Sequence, residues 1–318
     1  MKLLVCREAD TMTRPKFQFV SASLLALIFL LTAAASGDEV VIYEYDSVYH
    51  HIRVTQDGSL RGLRFDNNHY QSKMDINNPL AGQFHYIDLL FMSFLFKPDL
   101  DDMLILGLGG GSAPKLFHYY QPQLDIFTVE LDPAVVDVAE EFFFYDSDIL
   151  PVTVSDARMY LTRNSSKHDL IIQDTYSSSV YGTFIPFHLA TLEYFAIVRD
   201  RLTDDGVFAV NVIGTVYGGE PNRVITSVYR TMHEVFPQLY LFAAEDTQNV
   251  IIIATMNPER LTRSEMQSRA QALIAERRSE FPSGFLGDIA DFYDTAPGGL
   301  SSAVVLTDDY APTDNLLR

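Results

Sequence analysis

The chain has 318 residues, a net charge of −19 and 47% hydrophobic residues, which is enough for one large domain with attachments or for two domains. Residues 1–37 hold four Lys/Arg and two Asp/Glu, so the remainder sets 19 basic residues against 40 acidic ones, a charge of −21. A body this acidic excludes non-specific binding of nucleic acid and favours cationic ligands.

Lys2, Arg7, Arg14 and Lys16 precede Phe17–Ala35, a run without charge that ends in Ala33-Ala34-Ala35. This is the pattern of a signal peptide, and at roughly 20 residues the run also nears the length that spans a bilayer. Residues 1–37 are therefore read as a leader or an N-terminal membrane anchor, with membrane contact through residues 17–35. The expected setting is exported or membrane-anchored, with a cytoplasmic one as the alternative. The single cysteine, Cys6, lies in this stretch, so the rest has no thiol nucleophile and no cysteine metal site.

Val40–Met74 is rich in Val, Ile and Tyr, and Gln56-Asp57-Gly58-Ser59 is a hairpin turn signal. Residues 38–77 read as a small antiparallel β-region. Pro79–Phe96 carries an apolar face and predicts a helix. Met103–Leu106 is a short apolar run of the buried-strand type, followed at once by Gly107, Gly109, Gly110 and Gly111. Ser112–Tyr120 predicts a helix, with Ser112 as its cap and Pro114 in its first turn. A second apolar run, Asp125–Val129, ends in Glu130. Strand, glycine turn, helix, strand and acid together make a nucleoside-binding βαβ unit, because the glycines allow close approach and the acid can accept both ribose hydroxyls.

The α/β rhythm continues. Pro133–Phe144 predicts a helix capped by Asp132, and Val152–Val154 a short strand before Ser155-Asp156-Ala157. Leu170–Gln173 is a strand closed by Asp174, Phe187–Leu202 a helix broken by Gly206, Val207–Val212 a strand and Pro221–Val235 a helix. Leu239–Ala244 and Val250–Thr255 are strands whose short link, Glu245–Asn249, demands antiparallel pairing. Thr262–Arg278 is a polar amphipathic helix. The expected division is a leader or anchor over 1–37, the β-region over 38–77, a nucleoside-binding catalytic domain over 78–258 and a C-terminal helix and tail over 259–318.

Glu130, Asp156 and Asp174 fall at the ends of successive expected strands, where an open α/β sheet binds ligands. Units of this kind followed by an antiparallel hairpin do not suit a nicotinamide domain. They resemble the class I S-adenosylmethionine-dependent transferase fold, a Rossmann-like sheet ending in an antiparallel hairpin. Other chemistry has little support. The eight histidines are scattered apart from His50-His51, which on a strand point to opposite faces and do not share a metal.

The β-region, the helix with Tyr86 and Asp88, the glycine turn, Glu130, Asp156-Ala157 and Asp174-Thr175-Tyr176 together resemble the spermidine/spermine synthase family of polyamine aminopropyltransferases. The segment Ile185–Leu189 and the tail Leu306–Pro312 are similar to its divergent bacterial branch. The resemblance implies transfer of the aminopropyl group of decarboxylated S-adenosylmethionine to an amine acceptor, with no metal and with a homodimer as the expected assembly. It implies Asp174 as the residue that orients the attacking amine and takes its proton. The donor would be held by Gly107, Gly109, Gly110, Gly111, Glu130, Asp156 and Ala157, and the acceptor by Gln71, Tyr86 and Tyr176.

Two places depart from the family pattern. Ser112 stands where family members carry an aspartate for the donor's ammonium, and Ser177 where they carry a second acid. Both departures keep two other readings open. One is a methyltransferase using intact S-adenosylmethionine, and the other is a nucleoside or polyamine binder without turnover.

Overall fold

A four-stranded antiparallel sheet comes first, in the order β1 (Val40–Asp46), β2 (His51–Asp57), β3 (Leu60–Arg64), β4 (Tyr70–Asp75). Asp57 pairs with Leu60 across the Gly58-Ser59 turn, as the hairpin signal requires. The computed structural model describes residues 39–66, 69–81, 83–179, 182–217, 222–244, 247–314 and 316, and the leader or anchor read over 1–37 lies outside them. Residues Glu39–Arg318 pack as one unit.

The helix expected over Pro79–Phe96 forms only in its second part, as α1 (His85–Leu90) running into a 3₁₀ turn, Phe91–Leu95. Residues 75–81 turn instead: the Asp75 carboxylate accepts from the Asn77 N–H at 3.0 Å, and Ala81 N donates to the Asn78 carbonyl. These local bonds compete with the helix.

The rest alternates strand and helix. In chain order it runs β5 (Asp102–Leu106), α2 (Ser112–Tyr120), β6 (Asp125–Glu130), α3 (Pro133–Phe143), β7 (Val152–Val154), α4 (Ala157–Arg163) and β8 (His168–Gln173). A hairpin of β9 (Ser177–Ser179) and β10 (Gly182–Phe184) follows, then α5 (Leu192–Asp200), β11 (Leu202–Ile213) and α6 (Arg223–His233). β12 (Gln238–Ala244), β13 (Asn249–Thr255), α7 (Arg263–Arg277) and β14 (Phe292–Tyr293) complete it.

The described strands of the main sheet lie in the order β14-β12-β13-β11-β8-β5-β6-β7. From β7 to β11 neighbours are parallel, whereas β13 is antiparallel to both β11 and β12. The parallel core with its terminal antiparallel hairpin is the α/β arrangement expected. Met103–Leu106 and all of β13 are buried, which explains why they read as continuous apolar runs rather than alternating ones. On one face of the sheet Phe91, Phe94, Phe117 and Met266 form the core, and on the other Leu161, Tyr194, Phe195 and Val228. The β-region has its own small core, closed by Val135, Val138 and Phe143 of α3.

Two element boundaries need correction. Ser112 does not cap α2: it is the first helical residue, and the cap is Gly111, at φ 69° and without a side-chain cap bond. A glycine takes this left-handed turn without the cost a side chain would add. The helix expected over Phe187–Leu202 splits into a 3₁₀ turn, Phe187–Leu189, and α5. The Thr191 hydroxyl caps α5 by accepting from Tyr194 N at 3.2 Å, a bond that competes with continuation of the earlier turn. β11 already begins at Leu202 and passes through Gly206, with its register to β8 shifting between Leu202 and Val207. None of the described helices is long and apolar enough to cross a membrane.

Candidate active site

The winding of the sheet reverses between β5 and β8: β6 and β7 lie to one side, β11 and β13 to the other. Ligands of open α/β sheets bind beyond the carboxyl ends of the strands at such a point. A cavity of about 470 Å³ lies there, within the range of small-molecule sites.

Gly107 follows β5 and lies against the end of β8. It has φ 99°, and a Cβ added there would fall on the Asp174 carbonyl, so a side chain is excluded on both counts. Gly107 and Gly109 line the cavity; Gly110 and Gly111 do not. Instead, Gly110 N donates to the Ser72 hydroxyl of β4 at 2.8 Å, which ties the β-region onto the glycine turn. Gly111 packs against the Tyr145 ring. Ser112 is not among the lining residues either.

Glu130 ends β6 and is buried. Its carboxylate accepts from Leu108 N at 2.8 Å and from Asp132 N at 3.0 Å. An ionised carboxylate has about four lone-pair sites, so acceptor capacity remains for a ribose hydroxyl. Burial pushes its pKa up, and the backbone N–H groups of Asp132, Leu108 and Leu131 oppose this.

Asp156 caps α4, accepting from Met159 N at 2.8 Å, while its other oxygen pairs with His188 Nε2 at 2.8 Å. The His188 bond is the main cause of a pKa held below the ordinary carboxylate value. The lining also includes apolar residues, Val129, Leu131, Ala157, Pro186 and Leu189.

Asp174 follows β8, its N–H donating to the Leu106 carbonyl at 2.8 Å. Asn211 Nδ2 donates to one carboxylate oxygen at 2.9 Å and the Tyr86 hydroxyl to the other at 3.0 Å. Asn249 Nδ2 donates to Asn211 Oδ1 at 2.9 Å, which fixes the amide so that its NH₂ faces Asp174. Burial pushes the Asp174 pKa up, and both donors work against it. Tyr176 lines the cavity with its ring, but its hydroxyl is committed: it donates to the Asn211 carbonyl at 2.6 Å and accepts from Ile213 N at 2.9 Å. Gln71 lines the cavity and donates to the Ser178 hydroxyl at 3.3 Å.

The structure therefore brings Gln71, Tyr86, Gly107, Gly109, Glu130, Asp156, Ala157, Asp174 and Tyr176 to one cavity. Ser177 lines it too, with no acid in its place. Sequence reading missed Asn211, Asn249, Ser72 and His50. His50 lines the cavity stacked on Phe65, with ring centroids 4.2 Å apart, whereas His51 pairs with Asp46 and Glu44. Asn211 had a visible signal, a lone amide within the apolar run Val207–Ile213. Among the described residues, the lining includes three carboxylates and three histidines but no lysine or arginine. This wall suits a cationic ligand.

Residues 87–255 match the profile of the spermine/spermidine synthase domain. A polyamine aminopropyltransferase of Vibrio vulnificus (strain CMCP6) is 28% identical over 261 residues, covering 78% of this chain and 83% of that protein. The crystal structure of spermidine synthase from Thermotoga maritima has the same fold, with a TM-score of 0.61 and 17% identity over 80% of this chain and 84% of that one. Human methyltransferase-like protein 13, in complex with SAH, gives a TM-score of 0.54 and 27% identity over 69% of this chain and 98% of that one.

Proposed function

The chain belongs to the spermine/spermidine synthase family, and from that premise we propose that it moves the aminopropyl group of decarboxylated S-adenosylmethionine to a small polyamine or other amine acceptor. The observation that carries this reading is the wall of the cavity: Glu130, Asp156 and Asp174 converge on it, and no lysine or arginine is among the described lining residues. The decarboxylated donor and a polyamine are both cations. The intact donor adds a carboxylate, which would find no lysine or arginine among those residues and would meet the charge of Asp174. That favours aminopropyl transfer over methyl transfer.

In this reading Glu130 holds the ribose hydroxyls with its remaining acceptor capacity. The adenine lies against the apolar lining, its amino group toward Asp156 and its ring beside Ala157. Gly107 and Gly109 let the sulfonium arm pass close to the backbone, while Gly110 and Gly111 shape the turn. The acceptor enters along Gln71, Tyr86 and the Tyr176 ring.

The amine nitrogen attacks the carbon beside the sulfonium. The new N–C bond takes the nitrogen lone pair, the C–S bond breaks, and its electrons stay on sulfur to give neutral methylthioadenosine. One proton must leave the nitrogen. A free alkylamine has a pKa near 10.4, so an aspartate that orients it and takes up that proton matters to the rate. Asp174 holds this place, with its carboxylate fixed by Tyr86 and Asn211. No step calls for a metal. The homodimer and the attachment or export through residues 17–35 belong to the same proposal, supported by the family resemblance and by the uncharged run respectively.

The test is steady-state release of methylthioadenosine from the decarboxylated donor in the presence of a series of diamines and polyamines. Acceptor-dependent release is expected. Donor binding without release under any acceptor would leave a non-catalytic binder.

A further inference from the structure

Away from the cavity, the segment before β14 meets α1 through a cluster of acids around one imidazole. His85 opens α1, and Asp288 and Asp291 begin and end a 3₁₀ turn. His85 Nε2 stands 2.8 Å from Asp291 Oδ2 and 3.8 Å from Asp288 Oδ1. Asp88, one turn along α1, stands 4.0 Å from the other ring nitrogen. Among the described residues, the ion pairs of these carboxylates are with His85 alone, and no lysine or arginine joins them.

Asp288 supplies the second observation. It is 6% exposed, and its Oδ2 is buried without a hydrogen-bond partner. A buried carboxylate oxygen without a donor is costly, and a bound cation is one way to meet that cost.

We propose that His85, Asp288 and Asp291 bind a divalent cation of the kind that takes mixed nitrogen and oxygen ligands, Zn²⁺ or Mn²⁺. One donor atom from each of the three lies within 4.8 Å of the others. A tetrahedral ion about 2.1 Å from each ligand sets them about 3.4 Å apart, a value that the distances of 2.8 and 3.8 Å bracket. Asp88 faces Nδ1, the side from which a carboxylate orients a metal-binding imidazole and leaves Nε2 to the metal.

The ion is structural, and the transfer reaction does not use it. It fastens the turn before β14 to α1, whose next residue, Tyr86, holds Asp174. Arg263 fastens the same turn by donating to the Ile289 carbonyl at 2.7 Å and to the Phe292 carbonyl.

The test strips the purified full chain with a chelator and titrates it with zinc chloride and, separately, manganese chloride, by calorimetry and by thermal melting. His85→Gln, Asp288→Asn and Asp291→Asn are run beside it. One ion per chain is expected for one of the two metals, with a melting temperature that rises as it binds. Each variant should weaken binding by at least about tenfold, in line with losses around metal sites, and should lose the metal-dependent rise. Asp288→Asn removes a buried charge, so without metal it should melt no lower than the stripped parent, which makes its loss of binding interpretable. Absence of binding by both metals, or equal stoichiometry and affinity in the parent and Asp288→Asn, would overturn the proposal.

Discussion

Asp174→Asn separates the chemistry of this residue from its structural role. The amide keeps the shape of the side chain. Its oxygen can accept from Asn211 Nδ2, now 2.9 Å from one carboxylate oxygen, and its NH₂ can turn toward Tyr86, whose hydroxyl oxygen can accept in place of donating. Two charge-assisted bonds of about 1.5–3 kcal/mol become neutral ones of about 0.5–1.5 kcal/mol. The buried charge they served disappears at the same time, so the melting temperature should hold or rise. Burial raises the folded-state pKa of Asp174 above its unfolded value. Between those two pKa values the folded protein holds the extra proton, so its stability falls as pH rises through them. The gain of the Asn variant over the parent should therefore be largest at neutral pH and fade as pH drops below the unfolded value. Turnover should fall by roughly 10²–10⁴-fold, or about 2.7–5.5 kcal/mol, the range for a lost general base. Donor affinity should change by less than about tenfold. Steady-state kinetics, calorimetry with the decarboxylated donor in the absence of acceptor and melting at several pH values read all three quantities. If turnover is unaltered, Asp174 only closes the turn after β8 and the mechanism is wrong.

Tyr86→Phe removes one donor that holds the Asp174 pKa down, so turnover should drop about tenfold and the acid limb of the rate profile should move to higher pH, as a pH series on kcat/KM will show. Glu130→Ala should weaken methylthioadenosine binding by about 1–3 kcal/mol, and it should also lower the melting temperature, because Leu108 N and Asp132 N lose their acceptor. Unchanged calorimetric affinity would remove Glu130 from the ribose. His188→Gln should lower stability at neutral pH and flatten its fall in acid. His188 is the main cause of the low Asp156 pKa. The stability that this shift contributes is present above the unfolded pKa and is lost as pH falls through the folded one. The parent should therefore exceed the variant at neutral pH, with the gap closing in acid, as pH-dependent unfolding will report.

Much of the site could be read directly. Glu130, Asp156 and Asp174 each end or follow a strand, and strand ends are marked by where an apolar run stops. The glycine turn announced itself by composition, although its cap, Gly111, was taken for Ser112 because a serine beside a helix is the commoner signal. α4 went unread because only Ala157 and Leu161 of its seven residues are buried, too few to set a period. The support behind Asp174 was harder to read. Asn211 and Asn249 meet only because β13 pairs antiparallel with β11, a long-range register that local pattern does not carry. Ser72 had no signal at all. It matters because β4 lies over the glycine turn, a contact between segments 38 residues apart.

The central claim is the identity of the transferred group. The most direct measurement mixes equal amounts of decarboxylated and intact S-adenosylmethionine with the protein and a diamine and weighs the products by mass spectrometry. An acceptor heavier by one aminopropyl group, formed together with methylthioadenosine, is the predicted result. A methylated acceptor as the main product would contradict the account.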